Sequence, residues 1–459
     1  MPPAMIATAT ARRRAGDWAG ACAAAGVDVD LDLRALARAR GTALAAAVRA
    51  DLRHLAPDLL RWHLPRVAPD GLLRPGLTLA LAGYDPGENP VGGRDSLHLV
   101  VRTPPAWAAA GQRIMLTLWD GTALGSAARH PHPRPHRRHR LDLHRHLWDA
   151  RRAPELRTRS GAAHLLAGDP ADPGLPVTLP PGCAVHRWAA EAALLLAAPG
   201  TSPDSANAAV PDHHRTRFLV RCGARRRLVF ALDTGPVGSA APTLRLVTTH
   251  PRGAISALPI LPDAATWNLP DLDLLRTGAL SLEHLHPLVA QALGPDGDAR
   301  GSAGRAPRAG DGADPVEWVS CRGADHRIGP VDGVLAALDH DPAEIRREEL
   351  LAALTGTPLP CLRAIDTAHR RPDWLTGVRE RLDHGDIAGA LAVVERMLGP
   401  EAVLRDGPLR DALETCARQR VTYGLFRAGL PAPGAGPDHP VHRPPRRTRR
   451  THPRRAPLR

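Results

Sequence analysis

Leu77-Thr78-Leu79-Ala80-Leu81-Ala82, Leu97-His98-Leu99-Val100-Val101-Arg102-Thr103 and Arg113-Ile114-Met115-Leu116-Thr117-Leu118-Trp119 decide the fold class. Their apolar residues return with period two, and Ile114, Leu116 and Leu118 share one face, so each reads as a strand. Gly and Pro fill the gaps between them. Upstream the period is helical: Leu44, Val48, Leu52, Leu55 and Leu59 step by three and four, until Pro65 and Pro69-Asp70-Gly71 end the pattern. Val27, Val29, Leu31 and Leu33 alternate with Asp28, Asp30 and Asp32, which reads equally as a strand or as an acidic lead-in to a helix.

Downstream, a helix is expected over Trp188 to Ala198, and Phe218 to Cys222 with Arg227 to Asp233 forms a hairpin around Gly223. Thr243 to Thr249 is its third strand, and Ser281 caps a helix through Leu285, Leu288 and Leu293. A strand over Val316 to Cys321, paired near His326 to Ile328, opens the last unit. Asp341-Pro342-Ala343-Glu344 then sets an N-cap, a first-turn proline and an N3 glutamate in register. Gly385-Asp386 starts a helix through Ile387, Leu391, Val394 and Leu398, and Pro408 another through Leu409, Leu413 and Cys416.

The expected class is therefore α+β, multidomain. Its parts are a flexible N-terminus at 1–16, a helical region at 17–70, and a β-rich middle domain at 71–293 with a basic His/Arg loop at 129–152. A flexible linker at 294–315, a small α+β unit ending in helical hairpins at 316–430, and a disordered Arg/Pro tail at 431–459 complete it. A length of 459 residues suits several domains. With 3% aromatic residues, their cores must be built from Ala, Leu and Val.

All 60 basic residues are arginine. Without lysine the chain has no Walker A loop, no protein-kinase strand lysine, no Schiff-base lysine and no Ser-Lys dyad. The formal charge of +13 sits in two segments: 129–152, with eight arginines and two aspartates, and 432–459, with eight arginines and one aspartate. The remainder is neutral, so the charge describes two segments and not a basic domain. Six scattered cysteines with no C-x-x-C pair read as reduced, buried thiols. The N-terminus runs apolar before basic, the wrong order for a secretory signal, and the longest apolar stretch is too short to span a membrane. A cytoplasmic location without membrane contact is expected.

His130, His132, His136, His139, His144 and His146 recur at spacings a transition metal accepts. Arg134, Arg137, Arg138 and Arg140 raise the local positive potential, and Pro131, Pro133 and Pro135 favour an open loop. The expectation is a loop that is either solvated or in contact with nucleic acid, with Arg137, Arg138 and Arg140 as the candidate contacts, and with no metal. Arg446, Arg447, Arg449, Arg450, Arg454 and Arg455 in the tail suit unspecific phosphate contact by counterion release, and no aromatic lies beside them for base stacking. Asp271 with Asp273, and Asp339 with Asp341, sit at helix starts, where capping explains them. No residue is assigned as catalytic, cofactor-binding or metal-ligating.

Three resemblances accompany these readings. The helices of about Asp373 to Leu430, with Leu382-Asp383-His384-Gly385-Asp386 followed by Ala388, Ala390 and Leu391, are similar to a tetratricopeptide-type hairpin, present once; this implies a protein-binding surface. Cys321-Arg322-Gly323 resembles the nucleophile segment of caspase-like peptidases, but Val319-Ser320 replaces Gln-Ala, which favours a cysteine packed in a sheet. Across its length the chain resembles an uncharacterised family of large proteins from high-GC bacteria. The phrases that carry this are His54-Leu55-Ala56-Pro57-Asp58-Leu59-Leu60-Arg61-Trp62-His63, Leu261-Pro262-Asp263-Ala264-Ala265-Thr266-Trp267 and Asp339-His340-Asp341-Pro342. That resemblance implies no activity. The expected function is a non-catalytic adaptor or regulatory protein that binds another cytoplasmic protein. The alternatives are a nucleic-acid-associated protein acting through its arginine segments, and a hydrolase built on Cys321 and His326.

Overall fold

The computed structural model describes residues 1–84, 97–121, 130–166, 177–198, 216–223, 226–233, 242–248, 254–294 and 317–431. It is a mixed α+β protein with several small sheets and helices at both ends. Helices α1 (Pro3–Arg14) and α2 (Trp18–Ala24) lead into strand β1 (Val27–Asp30), followed by α3 (Leu33–Arg40), α4 (Thr42–His54) and α5 (Pro57–His63). Residues 1–16, expected to be flexible, hold α1. Proline in its first turn sacrifices no hydrogen bond, its alanines favour the helix, and Ile6 and Ala9 are buried.

The ambiguous aspartates take both parts. Asp28 and Asp30 belong to β1, while Asp32 caps α3, accepting from the N–H groups of Arg34 and Ala35 at 2.8 and 3.0 Å. Pro57 divides the predicted leucine face, because a residue before proline avoids the helical region and Ala56 is extended (φ −102°, ψ 91°). The break frees backbone groups on both sides. Ala56 N–H donates to the Trp148 carbonyl at 2.8 Å, and Ala150 N–H to that of His54 at 2.9 Å.

A short hairpin, β2 (Arg66–Val67) and β3 (Leu72–Leu73), precedes the three predicted strands, β4 (Thr78–Tyr84), β5 (Leu97–Arg102) and β6 (Ile114–Trp119). The sheet order is β1-β6-β5-β4. β1 runs parallel to β6 with Val27 opposite Ile114; the other pairs are antiparallel, and the β4–β5 register shifts between Ala80 and Ala82. The helices of 17–70 and the strands after them therefore share one core, which runs from Ala9 to Leu293 through Val48, Leu59, Leu99, Leu116 and Trp148.

Helices α6 (Leu156–Arg159), α7 (Ala162–Leu166) and α8 (Val185–Ala197) come before the second sheet, an antiparallel β7 (Arg217–Cys222), β8 (Arg226–Asp233) and β9 (Thr243–Leu246). Trp188, Ala192 and Leu195 of α8 pack on Phe218, Val220 and Phe230. Helices α9 (Asp263–Thr266), α10 (Pro270–Arg276) and α11 (Pro287–Leu293) follow, and α11 returns to the first core. Ser281 starts only a 3₁₀ turn; the α-helix begins at Pro287, capped by His286 Nδ1, which accepts from Leu288 N–H at 3.2 Å.

Gly294 and Pro431 apart, the expected linker at 294–315 and tail at 431–459 lie outside the described residues. Between them β10 (Glu317–Cys321), β11 (Ala324–Val331) and β12 (Val334–Ala337) form a meander, whose first turn puts both Arg322 and Gly323 at positive φ, 54° and 83°, as a tight hairpin requires. Five helices complete the unit: α12 (Pro342–Thr355), α13 (Pro360–Arg370), α14 (Leu375–Asp383), α15 (Ile387–Leu398) and α16 (Pro408–Ala428). The last four cover the meander around Ile328, Ile365, Val378, Val394 and Leu398. Their apolar face is therefore occupied from within. α16 also reaches the first sheet, where Tyr423 donates to Asp28 at 2.6 Å and Phe426 clusters with Met115 and Ala108. α12 differs from the rest: it buries no residue and leaves Leu350, Leu351 and Leu354 69, 51 and 86% exposed. No described helix is long and apolar enough to cross a membrane.

Candidate functional site

The tract expected as a solvated loop is largely packed into the protein. Its described part, 130–152, runs along the outer edge of β4: Thr78 hydroxyl donates to the His132 carbonyl at 2.6 Å, His136 N–H to that of Thr78 at 2.9 Å, and Ala80 N–H to that of His139 at 3.2 Å. A sheet edge needs such a cover, and the prolines at 131, 133 and 135 limit the pairing to these few bonds. Beyond the edge the segment enters the core. His139, His144 and His146 are 6, 1 and 2% exposed, and Leu141, Leu147 and Trp148 belong to the main core while Leu143 joins that of the second sheet.

Of the arginines assigned to nucleic acid, the three described ones are engaged within the chain. Arg138 forms a two-pronged pair with Asp263, both bonds 2.8 Å, and Arg140 meets Asp142 at 2.6 Å. Arg137, exposed, donates to the carbonyls of Ser256, Ala257 and Leu258. Arg446, Arg447, Arg449, Arg450, Arg454 and Arg455 lie outside the described residues.

Burial holds the imidazoles neutral. It pushes His139 down to about 3, helped by His136 and Arg138, and His63 down to about 4, helped by His286. Burial with Arg159 and Arg187 takes His144 well below its ordinary value, although Glu191 lies 3.7 Å away. Glu191 is instead paired with Arg159, at 2.8 Å to each carboxylate oxygen. His63 Nδ1 faces the carbonyls of Leu59 and Leu147 at 3.1 and 3.3 Å. A carbonyl can only accept, so Nδ1 holds the proton and Nε2 is a bare acceptor. That Nε2 is buried and without a partner, as are His146 Nδ1 and Asn268 Oδ1.

These residues line a cavity of about 630 Å³ between α5, the tract and the α9–α10 segment. Trp62 and Trp267 form part of its apolar wall, and Trp62 Nε1–H donates to Asp271 at 3.1 Å. Asp271 and Asp263 both have raised carboxyl pKa values, because burial outweighs Trp62 at the first and Arg138 at the second. Arg66 and Arg187 also line it. Arg66 donates to the carbonyls of Arg61 and Gly71, and Arg187 to those of Arg159, Ala264 and Trp267. These carbonyls take the terminal guanidinium N–H groups, Arg187 Nε stays buried without a partner, and no carboxylate is hydrogen-bonded to either arginine among the described residues, although Asp271 and Glu191 act on their charges through space. Asp271 is thus more than a helix-start residue, whereas Asp341 does cap α12, accepting from Ala343 N–H at 2.9 Å, and Asp339 grips Arg327 at 2.6 Å.

Beside the cavity, Asp58 and His286 form a fully buried pair at 3.0 Å. Because His286 Nδ1 accepts from Leu288, its Nε2 carries the proton and donates. Burial raises the Asp58 carboxyl, but the hydrogen bond from His286, helped by the charge of Arg13, outweighs it, and the pKa falls below the ordinary value. The pair ties α5 to α11 and has a structural role.

Cys321, the thiol of the hydrolase alternative, ends β10 fully buried. His326 lies opposite Val319 on the neighbouring strand, and it is His340 and Cys361 that share a cluster with Cys321. The phrases of the high-GC resemblance fall at these same places: Trp62 and His63 with Asp263 and Trp267 at the cavity, and His340 at the thiols. No family model matches the chain, and it has no match among curated proteins or solved structures.

Proposed function

We propose that the protein binds a small organic anion in the cavity between α5, the 138–147 tract and α9–α10, and acts by binding it, without catalysis. One observation carries this reading: Arg66 and Arg187 line the cavity with no carboxylate hydrogen-bonded to them among the described residues, and Arg187 Nε–H is buried without a partner beside acceptors that lack a donor. A ligand that bears a carboxylate or phosphate and also an N–H or O–H donor satisfies both, and two indole walls suit a flat apolar body. The volume falls in the range of small-molecule sites.

The test is extraction of the purified full chain under denaturing conditions, with mass spectrometry of what is released. Ala264 lines the cavity and is only partly buried, so Ala264→Phe fills it. A stoichiometric anion released from the wild type and lacking from Ala264→Phe is the expected result. No released molecule, and no thermal stabilisation of the stripped protein by a panel of carboxylates and organic phosphates, would end the proposal.

A second reading, a regulatory adaptor that binds another protein, is favoured by α12. Its three exposed leucines stand free of the unit's core, which moves the candidate surface from the helices after Asp373 to residues 342–355. Replacing Leu350 and Leu354 by Ser should then abolish co-purification of a stoichiometric partner. The nucleic-acid alternative depends on the arginines after 445, and binding that survives removal of 432–459 would overturn it.

A further inference from the structure

We infer that Cys321, His340 and Cys361 form a binding site for a thiophilic divalent cation, with zinc as the fitting ion. Three separate elements deliver the ligands: Cys321 ends β10, His340 lies between β12 and α12, and Cys361 is in the first turn of α13. One donor atom from each lies within 4.8 Å of the other two, and Cys361 Sγ is 3.5 Å from His340 Nε2. Zinc bound tetrahedrally at about 2.3 Å from sulfur and 2.0 Å from nitrogen separates S and N by about 3.5 Å and two sulfurs by about 3.8 Å. The thiol and the imidazole already stand at the edge length of that tetrahedron.

The neighbouring residues fix this arrangement. Asp339, one residue before His340, accepts from the Arg327 N–H at 2.8 Å and from its guanidinium, while Asp341, one residue after, caps α12. The backbone of His340 is thereby held on both sides. The ring of His326 stacks on that of His340, centroids 4.1 Å apart and planes 15° from parallel, and His326 Nδ1 is buried with no hydrogen-bond partner. A second imidazole with an idle nitrogen, packed on the first, is a poor arrangement for a purely apolar cluster. It is an ordinary one beside a cation, where an outer ring orients a ligand or donates to the water in the remaining position.

Two thiolates and a neutral imidazole bring two negative charges to a partly enclosed place, which matches a divalent ion. Without one, burial and the neighbouring Cys321 push the Cys361 thiol up to about 11, so Cys361 is a neutral thiol until a metal binds. Binding releases two protons as two metal–sulfur bonds form. With three protein ligands among the described residues, the fourth position falls to water. The ion fastens the meander to α12 and α13 across 40 residues of chain.

The experiment uses the full chain, reduced and stripped of metal, titrated with Co²⁺ as a spectroscopic probe and then with Zn²⁺ in competition with a chromophoric chelator. The expected result is one Co²⁺ per chain with a thiolate-to-cobalt charge-transfer band and tetrahedral d–d bands, both bleached by one equivalent of Zn²⁺. Cys361→Ser removes the charge-transfer intensity from one sulfur, and His340→Ala, at a half-buried position outside the core, weakens zinc by at least about tenfold. Cys222→Ser, in the second sheet, leaves the spectrum unchanged. Three results overturn the site: no stoichiometric uptake by the wild type, a spectrum that both site variants retain, or a Cys321–Cys361 disulfide in the isolated protein with no metal uptake after its reduction.

Discussion

Residues 130–152 and helix α12 contradict their own compositions in opposite directions. The first is rich in Arg, His and Pro and has Trp148, Asp149 and four histidines almost out of solvent; the second has three leucines and exposes all of them. Residue type measures the cost of leaving water, but burial depends on what waits inside. The tract meets acceptors: Asp263 for Arg138, Asp51 for Arg145, and the Leu141 carbonyl for the Trp148 indole at 2.9 Å. α12 meets none. Arg322 binds Glu344 and Glu348 on its charged side, and the leucines have nothing to cover among the described residues.

The comparison breaks most easily at Trp148, whose ring is fully buried with the Arg145 guanidinium 4.6 Å above it. Trp148→Ala should cost about 3–5 kcal/mol in denaturant unfolding. A loss below about 1 kcal/mol would mean that the tract is a surface loop after all.

Acid comes next. The folded-state pKa values of His63 and His139 lie below the unfolded value, at about 4 and about 3, so the unfolded chain binds protons first as pH falls through about 6.5. Their contribution is complete above that pH and declines by roughly 1.4 kcal/mol per pH unit per histidine below it. Asp263 and Asp271, with raised pKa values, act in the opposite sense, in the window from the ordinary carboxyl value of 3.8 up to their raised values. Stability should therefore drop by at least about 2 kcal/mol between about pH 6 and 5, and a flat profile there would show charged, solvated imidazoles.

Arg138→Ala removes both bonds to the part-buried Asp263 and should cost about 1–3 kcal/mol. If it instead weakens nucleic-acid binding at unchanged stability, the pair is not formed in solution. At the small end, Leu350→Ser with Leu354→Ser should shift stability by less than about 0.5 kcal/mol. A larger loss would mean that these leucines pack within the chain, and the contrast between the two regions would disappear.

The strands were legible because period two needs only neighbouring residues, and the start of α12 because cap, proline and acid stand in consecutive positions. The tract was not. Its buried histidines are neutral through tertiary desolvation, and Asp263, the partner of Arg138, lies far along the chain, as does Glu191, which faces His144. The thiol cluster escaped for the same reason, since Cys321 and Cys361 lack the short spacing that announces a metal site. The cavity had one visible sign. In a chain with 3% aromatic residues, Trp62-His63 and Asp263 with Trp267 set scarce indoles beside ionisable groups, and both phrases line it.

The parallel pairing of β1 with β6 has a consequence for the growing chain. About 85 residues separate the two strands, and at about 5–20 residues per second the earlier one leaves the ribosome roughly 4–17 s before its partner exists. During that wait Val27 and Val29 present an unpaired strand behind α1 and α2. The alternating aspartates at 28 and 30 give it like charges that repel a second copy, a guard during synthesis that also serves the finished sheet, in which β1 remains an edge strand.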